Sequence, residues 1–347
     1  MPNTDREAGA RAWELGLVRG GLAPGPLNAI TDVPGIRVGH STVHRPPEVH
    51  SGVTALVPGE VAPGRPVPAG FFSGNGYGKL IGSTQIAELG VIETPLLLTS
   101  TLSAFRVADA LVSWMLERPD CRETLSLNPV VGECNDGFLS DIRSRPVGEP
   151  EVRAALEGAR CGPVAEGCVG GGTGLGALGF KAGMGTASRQ VTLDGQPSTV
   201  GALVQANFGG VLRVGGRSFT PADLGVGQRR EPPATEDGSC VVVVATDAPL
   251  DARQLARVAR RSVFALARVG AGYGHGSGDY GIALSTGDGR PGVADGSLNP
   301  LFEGVLDAVE EAVLNSLLAA TTTLGVRGHV LPGLPVDRLL ARVRERG

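Results

Sequence analysis

Gly238-Ser239-Cys240-Val241-Val242-Val243-Val244 carries the plainest chemical potential in the chain: a small polar turn delivers a hydroxyl directly into four consecutive valines. A valine run without polar alternation predicts a strand buried on both faces. Such a strand holds the side chain at its mouth still, while the turn before it stays open to a small molecule. A serine placed there can act as a nucleophile, or it can be only a turn residue, the commoner role of a Gly-Ser pair. Asn207 ends an apolar run as Ser239 begins one. An asparagine in that position either completes a turn or aims its amide N–H groups at developing negative charge. Glu133, in Val130-Val-Gly-Glu133-Cys-Asn135-Asp136, belongs either to a solvated turn or to one wall of a pocket.

Two glycine-rich segments complete the set. Gly74-Asn-Gly-Tyr-Gly78 has glycine spacing that could suggest a phosphate cradle, but it lacks the GKS or GKT ending of a P-loop and the dinucleotide register. A turn whose glycines permit close backbone packing is the better expectation. The run 167–186 is too dense in glycine to be helical throughout. It serves close packing or forms a nest of backbone N–H groups able to hold an anion.

The elements that must position these groups can be read in outline. Residues up to about Pro26 form a poorly patterned arm, and strand-like pieces follow, including Gly52-Val-Thr-Ala-Leu-Val57. Residues 71–79 are expected as a glycine-rich turn, Ser83–Leu89 as a helix stopped by Gly90, Pro95–Thr99 as a strand, and Ser103–Glu117 as a helix. Arg189–Leu193 and Ser198–Val204 flank Asp194-Gly195, a hairpin signal. Residues 214–237, with Arg229-Arg230 and Glu231-Pro232-Pro233, read as a linker. Asp251 caps a helix running to about Val269, whose arginines form a solvated face. Gly274-His275-Gly276-Ser277-Gly278-Asp279-Tyr280 opens a further strand to Ser285, and a last helix spans 299–322.

Composition narrows the class. The 54 glycines and 25 prolines approach the low-complexity range, yet they punctuate apolar runs rather than forming repeats. The 347 residues fit a single large α/β unit. With a net charge of −4 and no basic block beside aromatic groups, nucleic acid is not an expected partner. No apolar run reaches the length of a signal peptide core or a membrane span, so a cytoplasmic protein with no membrane partner is expected. The five cysteines have no CxxC spacing, which gives no support for a metal site and fits reduced thiols.

Taken in order along the chain, these motifs resemble the L-aminopeptidase/D-esterase family, the DmpA and β-peptidyl aminopeptidase group, which shares its fold with ornithine acetyltransferases. The resemblance rests on Ile30-Thr-Asp-Val-Pro-Gly-Ile-Arg-Val-Gly-His40, Ser73-Gly-Asn-Gly-Tyr-Gly-Lys79, Val131-Gly-Glu-Cys-Asn-Asp-Gly137, Gly170-Gly-Gly-Thr-Gly174, Ala206-Asn207, Gly238-Ser239, Ala245-Thr-Asp-Ala-Pro-Leu250, Ser277-Gly-Asp279 and Glu310-Glu-Ala-Val-Leu-Asn315. It implies a four-layer α/β/β/α sandwich akin to the N-terminal-nucleophile hydrolases. It also implies a precursor that cuts its own Gly238–Ser239 bond, leaving residues 1–238 and 239–347 together as one hydrolase domain. The new N-terminal Ser239 would then be nucleophile, and its free amine, titrating near 7.7–8.0, the base. By the same resemblance Asn207 would stabilise the oxyanion, Ser277 and Asp279 would orient the Ser239 amine, and Glu133 would meet a substrate amine. Some relatives are expected to carry an oxyanion tyrosine near the Glu133 motif; here Cys134 and Asn135 follow Glu133, so a second donor is unassigned, with Tyr77 and Tyr280 as candidates.

The activity implied is that of a cofactor-independent serine aminopeptidase or amidase that removes N-terminal residues from short peptides, amino-acid amides or esters, assembled as a homotetramer. The alternatives are an endo-amidase of the nylon-oligomer hydrolase type and an acyltransferase of the ornithine acetyltransferase kind, both of which use threonine at the cut. A binding protein without turnover is the remaining alternative.

Overall fold

The computed structural model describes residues 10–18, 20–227, 238–287 and 292–345. In chain order the first half contains β1 (Ile36–Arg45), β2 (Val49–Pro58), β3 (Val67–Gly76), β4 (Leu80–Ile81), α1 (Ser83–Leu89), β5 (Val91–Ile92), β6 (Leu96–Ser100), α2 (Ala104–Glu117), β7 (Val130–Cys134) and α3 (Glu149–Glu157). The second half contains β8 (Gly176–Ala177), β9 (Phe180–Lys181), β10 (Met184–Leu193), β11 (Gln196–Asn207), β12 (Leu212–Val214), β13 (Arg217–Phe219), β14 (Ser239–Thr246), α4 (Ala252–Ala265), β15 (Gly278–Ser285), α5 (Asn299–Leu318), β16 (Thr323–Leu324), β17 (Val330–Leu331) and α6 (Val336–Arg344).

Local chemistry accounts for the boundaries that matter to the site. Asp194 and Gly195 both have positive φ, 50° and 77°, which turns β10 back into β11 with Leu193 opposite Gln196. Gly90, at φ 68°, ends α1 as expected. Asp251 caps α4: its Oδ1 accepts from Gln254 N at 2.7 Å, and Gln254 Oε1 accepts from Asp251 N at 3.2 Å.

Five strands form one sheet in the order β1-β2-β6-β7-β4, and six form another in the order β10-β11-β14-β15-β3-β5. Leu56, Leu96, Leu98 and Val130 of the first sheet meet Leu203, Val241, Val243 and Ile282 of the second in one buried layer. On the outer face of the first sheet, Val107 and Leu111 of α2 and Val152 of α3 pack against Val53, Leu97 and Val131. On the outer face of the second, Leu255 and Val258 of α4 and Val305 and Val309 of α5 cover Val242 and Val244. The order is therefore α/β/β/α, as expected, and each fully buried leucine or valine contributes about 1.5–3 kcal/mol.

β14 explains why its valines cannot alternate with polar residues. Val241, Val243 and Ala245 face the layer between the sheets, whereas Cys240, Val242 and Val244 face the helices. Both faces are dry, so both faces are apolar.

Two expectations need correction, and two open ones are filled in. Residues 71–76 are strand, not turn: they belong to β3, which pairs antiparallel with β15. The glycines there serve helix packing, since a Cβ at Gly70 would lie 2.1 Å from the Ala256 N of α4. The poorly patterned N-terminal arm is docked where it is described: Ala12 N donates to Asn315 Oδ1 at 2.8 Å, and Trp13 lies under Arg189, 5.1 Å from its guanidinium carbon. The expected linker begins later than residue 214, because β12 and β13 pair as a hairpin; its residues 228–237 lie outside the described residues. The glycine run at 167–186 is no anion nest. Gly170 N donates to Thr42 Oγ1 at 2.8 Å and Gly171 N to Thr54 Oγ1 at 3.1 Å, so these donors are already engaged. The close-packing alternative holds there: a Cβ at Gly183 would lie 1.9 Å from Gly167 O.

Candidate active site

A cavity of about 210 Å3 opens where β14 begins. Gly238, Ser239, Asn207 and Glu133 all line it, with Lys79, Thr101 and an apolar wall that includes Phe138, Phe180 and Leu331. Ser239 is paired directly with Asn207 across the antiparallel β11–β14 ladder and with Gly278 across the parallel β14–β15 ladder. By the alternation of β14, the Ser239 side chain points toward the layer between the sheets, as do Val241 and Val243. From the facing sheet, Cys134 Sγ donates to Ser239 O at 3.2 Å. Burial pushes the Cys134 and Cys240 thiols well above their ordinary value, which keeps both protonated beside the serine.

Backbone packing fixes the residue before the serine. A Cβ at position 238 would lie 1.9 Å from Asn207 O and 2.8 Å from Phe208 Cα, so only glycine can lie this close to β11. Asn207 is held at both ends. Its Oδ1 accepts from Gly176 N at 3.2 Å, and its Nδ2 donates to Asn135 O at 3.1 Å. One neighbour is a donor and the other an acceptor, which settles the amide's orientation and leaves the second Nδ2 hydrogen uncommitted.

Ser277 and Asp279 stand on the other side of the sheet. Asp279 alternates with Tyr280 and Ile282, which face the inter-sheet layer, and so it points toward the helices. The two residues line a second cavity of about 180 Å3, which shares Phe208 and Gly209 with the first. Ser277 Oγ donates to Asp279 Oδ1 at 2.8 Å, while Asp279 Oδ2 is buried without a partner. Burial raises the Asp279 carboxyl to about 6, although the Ser277 hydroxyl acts against the shift. The pair therefore flanks the backbone of Ser239 rather than its side chain.

Glu133 is 2% exposed. Its Oε1 accepts from Lys79 N at 2.9 Å and lies 3.5 Å from Lys79 Nζ, and its Oε2 accepts from the Thr101 hydroxyl. Sequence reasoning did not single out Lys79 or Thr101 as site residues. Lys79 had a signal, as the last residue of the Ser73–Lys79 motif, whereas Thr101 had none. Of the two tyrosine candidates, Tyr77 lines the cavity; Tyr280 does not, and packs beside Phe71 with ring centroids 6.1 Å apart.

Next to this site Asp136 is 3% exposed and accepts from Ser51 Oγ at 2.6 Å and Ser100 Oγ at 2.8 Å. Burial outweighs these bonds and raises its carboxyl from 3.8 to about 6. A carboxyl that is harder to ionise folded than unfolded favours the folded state below about pH 4, and that advantage is lost as pH rises through about 6. Asp136→Asn, whose amide can still bond both rotatable hydroxyls, should gain on wild type between pH 4 and pH 7 by on the order of 3 kcal/mol at most. Melting temperatures of both proteins across that window check this; a constant difference would rule out the burial cost.

With the fold and this geometry established, the known proteins that resemble the chain can be compared with it. The profile of peptidase family S58 matches residues 28–331. The chain belongs to this family. Among curated relatives, the β-peptidyl aminopeptidase BapA of Sphingosinicella microcystinivorans is 37% identical, over 97% of this chain and 92% of its own. Among solved structures, the L-aminopeptidase D-Ala-esterase/amidase of Ochrobactrum anthropi, described as a prototype of the serine aminopeptidases and a new variant among Ntn hydrolase folds, superimposes with a TM-score of 0.86. It is 38% identical, covering 96% of this chain and 98% of its own. A Burkholderia sp. β-aminopeptidase gives a TM-score of 0.85 at 40% identity, covering 97% and 99% of the two chains. The chain is thus an aminopeptidase or amidase of the N-terminal-nucleophile kind. Among the described residues, no helix is long and apolar enough to cross a membrane.

Proposed function

We propose that this S58 peptidase cuts its own Gly238–Ser239 bond and then releases N-terminal residues from short peptides, amino-acid amides or esters through an acyl-enzyme on Ser239. The observation that carries this reading is the pairing of Ser239 with Asn207 at the mouth of one cavity, behind a residue 238 that only glycine can be. Ser239 Oγ attacks the Gly238 carbonyl, the acyl group passes from nitrogen to oxygen, and water hydrolyses the ester. The liberated amine has an ordinary value near 7.7–8.0 and takes the hydroxyl proton in later turnovers. The uncommitted Asn207 N–H receives the oxyanion. Asp279, hydrogen-bonded to Ser277 and with one oxygen free, holds the new amine from the far face of the sheet. Assembly as a homotetramer of cut units in the cytoplasm is part of the same proposal.

The direct test is the intact mass of purified protein. Two species of about 24 and 11 kDa, from a 35.4 kDa chain, with the smaller one starting at Ser239, are expected. One uncut species after long incubation would leave no free amine to act as base, and the reading would fail.

Glu133 receives the substrate's free amine in this scheme. Glu133→Gln should raise KM for free-amine substrates about 10- to 100-fold, the worth of one charged hydrogen bond, and lower kcat far less. Steady-state kinetics on aminoacyl p-nitroanilides check it; an unchanged KM with a lower kcat would place Glu133 outside substrate binding.

A further inference from the structure

Among the described residues, Lys79 and Glu133 are the two charged side chains that line the Ser239 cavity, and they are already paired with each other. Both Glu133 oxygens are engaged, Oε1 by the Lys79 backbone N–H and ammonium and Oε2 by the Thr101 hydroxyl. A substrate ammonium that approaches Glu133 thus meets a carboxylate whose charge is balanced. Three donors already occupy the carboxylate, so a substrate ammonium that pairs with it competes with and displaces the Lys79 ammonium, whose side chain is 41% exposed. The rest of the described wall is neutral, with Phe138, Leu178, Phe180 and Leu331 among it. Among the described side chains, no second carboxylate lines the cavity to receive the displaced ammonium, and a carboxylate carried by the substrate beside its amine would do so.

We propose that Lys79 makes this cavity selective for N-terminal residues that carry a carboxylate beside their free amine, β-aspartyl peptides being the simplest, and against neutral and basic residues. In a β-aspartyl group the amine and the carboxylate share one carbon, two bonds from the carbonyl that the nucleophile attacks. The bound state is then an alternating array: Glu133 carboxylate, substrate ammonium, substrate carboxylate, Lys79 ammonium. Each charge keeps an opposite neighbour at the spacing the empty pair already holds. A β-alanyl group, identical except for the missing carboxylate, offers Lys79 no such partner.

The inference rests on the aminopeptidase reading of the site, and the test separates the two. With wild type, Lys79→Met and Lys79→Arg, kcat/KM is measured for β-aspartyl and β-alanyl p-nitroanilides, and binding of free L-aspartate and β-alanine is measured by calorimetry. Wild type should favour the β-aspartyl substrate at least tenfold, mainly through KM. Lys79→Met should abolish or reverse that preference and Lys79→Arg should keep it. Turnover with equal efficiency on both substrates, or a preference unchanged in Lys79→Met, overturns the Lys79 assignment and leaves the aminopeptidase reading standing. Tighter Lys79-dependent binding of L-aspartate without turnover of either substrate supports Lys79 and overturns the aminopeptidase reading. Failure to bind L-aspartate more tightly than β-alanine overturns the proposal even where turnover is seen.

Discussion

Ser239→Ala is expected to remain one 35.4 kDa chain and to hydrolyse no aminoacyl amide above background. Both losses come from one atom. Without Oγ the Gly238 carbonyl is not attacked, so the α-amine that serves as base is never released, and no nucleophile remains for substrate. Loss of a catalytic nucleophile typically costs about 10⁶ in kcat, and here the base is lost with it. The fold should survive, because Ser239→Ala removes a single atom at the start of β14, beside Asn207 and Gly278, and breaks no side-chain hydrogen bond of its own among the described residues. A melting temperature within a few degrees of wild type, together with an intact mass spectrum, separates chemical from structural failure. Normal cleavage or turnover in Ser239→Ala would remove this residue from the mechanism.

The second large effect concerns the oxyanion. Asn207→Ala should lower kcat about 10²- to 10³-fold with KM changed little, because the N–H it removes matters only once negative charge develops. The processing cut passes through the same kind of tetrahedral intermediate, so the variant should also cut itself more slowly. Truncation leaves Gly176 N and Asn135 O without their present partner, a cost of about 1–3 kcal/mol that the melting temperature would report. Stopped-time gels for the cut and steady-state kinetics for turnover are the measurements. A raised KM at unchanged kcat would assign Asn207 to ground-state binding instead.

Much of this was legible in the sequence because the residues concerned obey local rules. The valine run predicted a doubly buried strand, Asp194-Gly195 a tight hairpin, and Asp251 a capped helix, and each is found. What the sequence could not show is which face of a sheet a residue takes. Ser277 and Asp279 lie close to Ser239 along the ladder, yet period-two alternation turns Asp279 toward the helices and both line the neighbouring cavity. Strand register decides that, and register depends on partners distant in the chain. The same limit hid Thr101, which reaches Glu133 only because β6 and β7 run parallel side by side. The β3 glycines misled in the opposite way. Local rules mark such a segment as a turn, whereas α4 needs their missing side chains to approach the sheet.

The order of the second sheet has a consequence for how the molecule can be made and remade. β14 and β15 come after Gly238, while β10 and β11 on one side and β3 and β5 on the other come before it. A cut at that bond would leave two polypeptides woven into a single sheet, the later one clasped between strands of the earlier. Separation of the pieces would then be the same event as unfolding. Before the cut, folding is a search by one chain whose contacts are tethered; after it, renaturation requires two molecules to meet, so its yield and the midpoint of reversible unfolding should both depend on protein concentration. The uncut chain would act as its own single-use template, and the mature protein would be kinetically committed to a structure it could not readily rebuild.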